Sequence, residues 1–396
     1  MNDAIVVINA GSSSLKFSLY SVINQQLQRE AHGQIEGLGK AARFKAQKRE
    51  SGVSAERTFE KSVGGFGYHE GFSYLADWIR DHFHDALSLL AVGHRVVHGG
   101  ADFGEPTLID AAVVEKLEAL IPLAPLHQPH NLEAIKGAAK LRADIPQVAC
   151  FDTAFHRGRE SVTERFGLPD ELFLAGLRRW GFHGLSYESI ASQFRQIAPG
   201  LASGRVIVAH LGNGASLCAM KNGRSVDTTM GFSVLDGLPM GTRCGAIDPG
   251  VILFLLTSMT PKQVETMLYT KSGLLGISGV SNDVRELLAS KEPLAAEAID
   301  YFAYRIIREI GSLTATLGGL DALIFTAGIG ENSCIIREKV CRGLSWLGIE
   351  ISAEANNTGK RCVTREGATP SVWVIPTDEE GVIAAQTLKV VSHRGH

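Results

Sequence analysis

At 396 residues the chain is too long for one ordinary core, so two domains are expected. With 45% hydrophobic and 20% charged residues it has the makeup of a soluble globular protein, and a net charge of −3 leaves no basic field for nucleic acid or an anionic membrane surface, so small molecules are the expected partners. No apolar run approaches the roughly 20 residues a bilayer requires, no basic, apolar and cleavage-site sequence precedes the first strand, and Cys150, Cys218, Cys244, Cys334, Cys341 and Cys362 lack paired spacing, which predicts reduced thiols in a cytoplasm.

Ile5-Val6-Val7-Ile8 predicts a strand buried on both faces that stops at Asn9 and Gly11. Phe17 and Leu19 then resume an apolar alternation, so Gly11-Ser12-Ser13-Ser14 reads as a hairpin tip, with Lys16 close by. Such a tip presents backbone N–H groups and hydroxyls around one point, a cradle for anionic oxygens, although an ordinary small-residue turn has the same composition. Residues 4–38 form an expected three-strand meander with its third strand near 30–35, and the polar, glycine-dotted stretch 39–71 reads as an exposed excursion. Residues 72–84 have helical spacing through Leu75, Trp78, Ile79 and Phe83, and 88–94 lead into a strand carrying Gly93-His94-Arg95-Val96-Val97-His98-Gly99-Gly100. Asp110 caps a helix that Pro122 and Pro125 break before Leu126 and His127, and Asn131 starts the next helix. Gln147-Val148-Ala149-Cys150-Phe151 is a short buried strand ending on Asp152, where the chain is expected to cross between domains.

A second copy of the opening pattern follows over 205–228: a buried strand enters the turn Gly212-Asn213-Gly214 and leaves as an alternating strand, and Lys221-Asn222-Gly223 closes a further hairpin. The loop 230–250 leads to helices over 250–268 and 283–290, then to a long helix over 294–317 ended by Gly318-Gly319. A third apolar strand, Leu323-Ile324-Phe325-Thr326, ends in Gly328-Ile329-Gly330, and a last strand at 373–376 runs into Asp378-Glu379-Glu380 at the head of a terminal helix. The predicted division is a first lobe over 1–151, completed by helix 381–396, and a second over 152–380. Three strand-ended glycine loops look like a phosphate and nucleotide clamp, and the duplication implies two similar halves facing a cleft.

Phosphoryl transfer needs cations along the phosphates, a metal and a clamp for the acceptor. Arg95 and Arg243 lie beside glycines that let a ligand approach; Asp152, Glu379 and the amide of Asn9 offer oxygen ligands for Mg²⁺. Each also has a plainer reading: solvated surface arginines, and carboxylates placed for a helix dipole. His127 and His183 in their Pro- and Gly-bounded loops have the plain reading of structural histidines. His94/His98 and His127/His130 imitate zinc spacing without a third ligand, Ser13-Ser14-Leu15-Lys16 imitates an acyl-serine motif but leads into a strand, and no G-x-x-x-x-G-K-[ST] occurs.

With these blocks in view, the chain resembles the acetate kinase family, within the superfamily of acetate and sugar kinases, Hsp70 and actin. The likeness runs nearly end to end, through Asn9-Ala10-Gly11-Ser12-Ser13-Ser14-Leu15-Lys16, Gly93 to Gly100, Ala124-Pro125-Leu126-His127, Phe151-Asp152-Thr153, Gly181-Phe182-His183-Gly184, His210-Leu211-Gly212-Asn213-Gly214, Gly241-Thr242-Arg243 and Thr326-Ala327-Gly328-Ile329-Gly330-Glu331-Asn332. It implies an α/β protein of two actin-like, RNase H-like lobes, each a mixed five-stranded sheet flanked by helices, with an active-site cleft between them. It further implies a cytoplasmic homodimer that makes acetyl phosphate and ADP reversibly from acetate and ATP, with Mg²⁺ as cofactor or Mn²⁺ in place of Mg²⁺.

Carried across by motif, Asn9 and Glu379 hold the metal, while Ser12, Ser14, Lys16 and His210, Leu211, Gly212, Asn213, Gly214 contact the phosphates. Asp283, Val284 and Arg285 with Gly328, Ile329, Gly330, Glu331 and Asn332 hold adenosine. Arg95 and Arg243 bind the carboxylate and the phosphoryl group in flight, His183 its equatorial oxygens; Asp152 is the catalytic carboxylate and His127 lines the site. Val97, Leu126 and Phe182 form the methyl pocket, where Val234 replaces a usual proline and so keeps a propionate or butyrate kinase as the alternative; a non-kinase ATP-driven switch is the more distant one. Leu185-Ser186-Tyr187 replaces the usual Thr-Ser-His behind His183, Ala246 replaces an aspartate, and Asp378 an asparagine.

Overall fold

The computed structural model describes residues 1–11, 13–50, 56–84 and 86–393, so Ser12, assigned above to phosphate binding, lies outside the described residues. The chain divides into two compact units, Met1–Ala154 with Asp378–His396, and Phe155–Thr377.

The first unit is built on β1 (Asn2–Ala10), β2 (Ser14–Ile23), β3 (Gln26–Glu36), β4 (Ala42–Arg49), β5 (Glu56–Gly64), β6 (Leu87–Val96), β7 (Thr107–Leu108) and β8 (Gln147–Phe151). Among the described residues they form one sheet in the order β5-β4-β3-β2-β1-β6-β8-β7. The β1–β2 hairpin is tight: Ala10 faces Leu15 in antiparallel register and Gly11 N donates to Ser14 O at 2.9 Å. Eight strands stand where five were expected: β7 adds a short strand beside β8 at one edge, and the supposed excursion after residue 39 is the β4–β5 hairpin at the other. Its inward residues Ala42, Phe44 and Ala46 alternate with outward polar ones, but only one of the three is large, so the period-2 signal is weak until Phe17 and Trp78 cover Phe44. Helix Gln128–Leu141 also begins three residues before Asn131, and Asp110 caps its helix as expected by accepting from Val113 N at 2.8 Å.

Helix Glu379–Ser392 packs on β1, β6 and β8. Gly93 of β6 permits it, since a Cβ there would stand 2.3 Å from Thr387 Oγ1 and 2.7 Å from Ile383 Cγ2. On the opposite face Ala4, Val6, Ile8, Leu19 and Val92 join Phe72, Leu75 and Trp78 of helix Tyr68–Phe83 in one apolar cluster.

The second unit carries β9 (Arg205–Leu211), β10 (Ala215–Lys221), β11 (Arg224–Thr228), β12 (Ala322–Thr326) and β13 (Ser371–Val374), in the order β11-β10-β9-β12-β13. Strands β9 and β12 are buried almost throughout, with helix Pro293–Leu317 packed on the sheet. The predicted helix over 250–268 is two, Pro249–Leu255 and Pro261–Thr270, divided where Thr260 caps the second through a reciprocal bond with Gln263. The duplication read from the sequence is real at the level of topology: β3-β2-β1-β6-β8 and β11-β10-β9-β12-β13 share two antiparallel pairings followed by two parallel ones.

Three buried histidines give the fold a pH dependence. Burial pushes His94 and His98 down to about 4 and His156 down to about 3, against an ordinary value of 6.5. As pH falls below 6.5 the unfolded chain takes up protons that the folded chain refuses, so stability is present in full above 6.5 and is lost on descending toward 4. At pH 5 the loss is about 2 kcal/mol per histidine. The urea midpoint is therefore expected to fall between pH 7.5 and pH 5, and an unchanged midpoint would contradict these three burials.

Candidate active site

In the first unit the chemistry collects at the carboxyl ends of the parallel strands, where open α/β sheets place ligands. Arg95 is the penultimate residue of β6, and Asp152 follows β8 directly, with its N–H donating to Val96 O at 3.0 Å. Arg95 grips the carboxylate as a fork: Nε donates to Oδ1 at 3.0 Å and to Oδ2 at 3.2 Å, and Nη2 donates to Oδ2 at 2.6 Å. Asp152 is 1% exposed, while 22% of the Arg95 side chain remains accessible. Its Nη1 also donates to Asn9 Oδ1 at 3.4 Å, at the end of β1, and Lys16 sits opposite Asn9 in the β1–β2 register.

Glu379 opens the returning helix, whose N-cap is Asp378, accepting from Gly381 N at 3.0 Å. Burial pushes the Glu379 carboxyl up to about 7; Arg95 opposes the shift, and Asp152 and Glu380 add to it. Although burial alone would lower it, Asp152 and Glu379 hold the Arg95 guanidinium above its ordinary value. With Glu380 also acting on it, three carboxylates bear on one arginine, an arrangement suited to a further cation. Among the described residues no group of three or more His, Cys, Asp or Glu side chains could hold a metal ion. The oxygens of Asn9 and Glu379 suit a hard cation that keeps most of its waters.

Sequence reasoning missed how this end is held together. Asn131 donates to Ala10 O at 3.0 Å and accepts from Val97 N at 3.0 Å, clasping the ends of β1 and β6. Gln128 exchanges hydrogen bonds with the backbone of His98, at 3.3 Å and 3.2 Å. Two buried amides one turn apart in a mostly apolar helix were the available signal. Val97 is buried, Leu126 is exposed, and His127 N-caps the Asn131 helix without a side-chain cap bond.

In the second unit His183, His210 and Arg243 gather around the β9–β10 turn. A Cβ on Gly214 would lie 3.4 Å from His183 Nε2 and 3.7 Å from Arg243 Nη1. His183 caps helix Gly184–Ile197 at φ +58°, the left-handed region that is costly for a side chain and concentrates at functional positions. Its ring stacks on His210 at 4.2 Å, and its Nδ1 is 2.8 Å from Ser216 Oγ, which Tyr187 OH also reaches. Ser186 Oγ meets His210 Nδ1 at 2.8 Å. The Leu185-Ser186-Tyr187 departure therefore leaves His183 braced, with the Tyr187 hydroxyl working through Ser216. Arg243 Nη1 donates to Val234 O at 3.3 Å, so Val234 contributes its carbonyl to the arginine. Phe182 is fully buried, and its carbonyl lies 2.9 Å from His156 Nε2.

Beside this group opens a cavity of about 610 Å³. Of the residues assigned to ATP, Gly212, Asn213, Asp283, Val284, Arg285, Gly328, Ile329 and Asn332 line it, joined by Asn282, Leu288 and the segment 333–335. Its size suits a nucleoside. Asp283 N-caps helix Val284–Ala289 and pairs with Arg285, Nη2 to Oδ2 at 2.6 Å; the Arg285 hydrogen bond holds the carboxyl down at about 2. Gly330 and Glu331 do not line the cavity: the Glu331 carboxylate accepts from Ala327 N at 2.7 Å instead. Ser14, Lys16, His210, Leu211 and Gly214 also stand outside that lining.

Two mixed sheets that share one order over five strands, each with a glycine turn between its first antiparallel strands, define an actin-like α/β protein. The acetokinase family model matches residues 4–385, and the chain belongs to that family, one of ATP-using kinases. It is 48% identical over 396 residues to the acetate kinase of Nitrobacter hamburgensis, covering 99% of this chain and 97% of that one. Among solved structures it is similar to a propionate kinase from Francisella tularensis (36% identity, TM-score 0.90, covering 98% of this chain and 99% of that one). It is likewise similar to the acetate kinase of Porphyromonas gingivalis (34% identity, TM-score 0.86, covering 98% and 100%).

Proposed function

We propose that the protein is an acetate kinase that transfers the γ-phosphoryl group of ATP in line to acetate, reversibly, giving acetyl phosphate and ADP. The observation that carries the reading is the convergence of His183 and Arg243 on Gly214, beside a cavity of nucleoside size. A carboxylate is already a competent nucleophile, so the barrier is repulsion between two anions, and fixed cations at the transferring group lower it. In this reading Arg95, aimed by Asp152, holds the acceptor carboxylate, and His127 lines its site. Arg243 and His183 donate to the oxygens of the phosphoryl group, with Ser216 orienting the imidazole. Asn9 and Glu379 hold Mg²⁺, which when bound neutralises phosphate oxygens. Lys16, Ser14 and the 210–214 turn face phosphate, and the cavity takes adenosine. Val97 and Leu126 in the first unit and Phe182 and Val234 in the second are the apolar side chains assigned to the methyl group.

The same proposal includes a cytoplasmic homodimer. No described helix is long and apolar enough to cross a membrane, and Leu253 and Phe254 on helix Pro249–Leu255 are exposed apolar side chains of the kind a second copy covers. The propionate alternative keeps the mechanism, because an extra methylene changes discrimination by only about 1–3 kcal/mol. Initial rates of hydroxamate formation from ATP and Mg²⁺ with acetate, propionate and butyrate decide between them. Acetate is expected to give the highest kcat/KM. A higher value for propionate transfers the assignment to that acid, and ATP binding with no acid-dependent turnover refutes the kinase reading in favour of a nucleotide switch.

A further inference from the structure

Glu331 sits in the third glycine loop, yet its carboxylate is turned into the protein. Strand β12 ends at Thr326, and the next residue, Ala327, takes φ +63°, a left-handed conformation that costs a non-glycine residue roughly 1–2 kcal/mol. Glu331 Oε1 holds that residue by accepting from its N–H at 2.7 Å, with Thr326 Oγ1 at 3.4 Å. The same oxygen accepts from Thr377 N at 3.2 Å. Thr377 is the last residue of the second unit; Asp378 begins the returning segment, and Glu379 follows. The backbone of the loop is secured separately, by the buried Arg337, whose Nη1 donates to Gly330 O at 2.9 Å and Glu331 O at 2.8 Å. The side chain of Glu331 is thereby committed to two backbone N–H groups 50 residues apart, one at the root of the cavity-lining loop and one where the chain leaves the unit.

We propose that Glu331 is a positioning residue that couples occupancy of the cavity lined by Gly328, Ile329 and Asn332 to the backbone of the crossing segment 375–379. This rests on the reading of that cavity as the nucleotide site. A ligand that stiffens Gly328–Asn332 steadies Glu331, and one acceptor oxygen passes that order to the Thr377 amide and onward along the chain to Glu379. The coupling needs an acceptor at this position rather than a charge, so glutamine, which keeps a carbonyl oxygen on the same stem, preserves it, and alanine removes it. A residue holding only the loop would leave 375–379 indifferent to nucleotide.

The test is hydrogen exchange on the full-length enzyme with and without a non-hydrolysable ATP analogue and Mg²⁺, for wild type, Glu331→Gln and Glu331→Ala. In wild type and Glu331→Gln the analogue is expected to slow exchange both at 327–333 and at 375–379. In Glu331→Ala it slows the first and not the second, and kcat falls about a hundredfold while KM for ATP changes less than threefold. Nucleotide protection at 375–379 that persists in Glu331→Ala overturns the proposal, as does its loss in Glu331→Gln, which decides the matter even where the alanine variant folds poorly. Protection of 327–333 without protection of 375–379 in wild type also overturns it. Absence of protection at 327–333 in wild type refutes the nucleotide reading itself.

Discussion

Replacing Arg95 with alanine is expected to lower kcat/KM for acetate by about a thousandfold and to destabilise the folded enzyme by about 3–5 kcal/mol. The two losses come from separate properties of the guanidinium: its fork, proposed to hold the acceptor, and its charge, which neutralises Asp152. Asp152 is 1% exposed and accepts the forked guanidinium at 2.6–3.2 Å, so the variant leaves a buried carboxylate without its cation. Glu379, already pushed up to about 7 with Asp152 among its causes, loses the one arginine that opposes the shift. Arg95→Lys separates the two effects, since an ammonium restores charge but cannot fork to a carboxylate. It is expected to recover most of the stability and little of the turnover. Urea unfolding and initial rates over a range of acetate concentrations measure both, and an Arg95→Ala enzyme within threefold of wild-type kcat/KM would remove Arg95 from the site.

Arg243→Ala is expected to act on turnover. Its Nη1 lies 3.7 Å from where a Gly214 side chain would begin and donates to Val234 O at 3.3 Å, so the guanidinium is braced from the 230–250 loop and directed at the glycine turn. A donor placed where charge is transferred acts most in the transition state, so kcat should fall about 10²–10³-fold. KM for ATP, which the proposed function assigns to the separate cavity, should stay within threefold. Gly241 keeps that loop pressed on the turn: a Cβ there would lie 2.1 Å from Asn213 Oδ1. Single-turnover rates with bound ATP distinguish the outcomes. A loss confined to KM would make Arg243 a ground-state ligand and leave the transition-state role to His183.

The two glycine hairpins were legible because they are local. A run of branched apolar residues, a Gly/Asn/Ser turn and a resumed alternation specify strand, tip and strand within about 20 residues, and both β1–β2 and β9–β10 have that form. The β4–β5 hairpin was not legible, because its inward face is two alanines and one phenylalanine, and their burial comes from Trp78 and Phe17 rather than from their own pattern. Asn131 has the same history: its residue type suits a helix start, and only the neighbouring ends of β1 and β6 give its amide a buried task inside the helix.

By itself the sequence determined the repeated pattern of strand, glycine turn and strand and the polar residue types standing at strand ends, since these depend on periodicity and on which residues a turn tolerates, while the class of fold was implied by the family resemblance. Tertiary structure alone decided what those residues do to one another. It joined Arg95 to Asp152 across 57 positions, put Ser216 and Tyr187 behind His183, and turned Glu331 from the cavity toward Ala327 and Thr377. The reason is physical: a hydrogen bond or ion pair depends on ångström separations set by strand register and helix docking, and spacing along the chain carries no record of them.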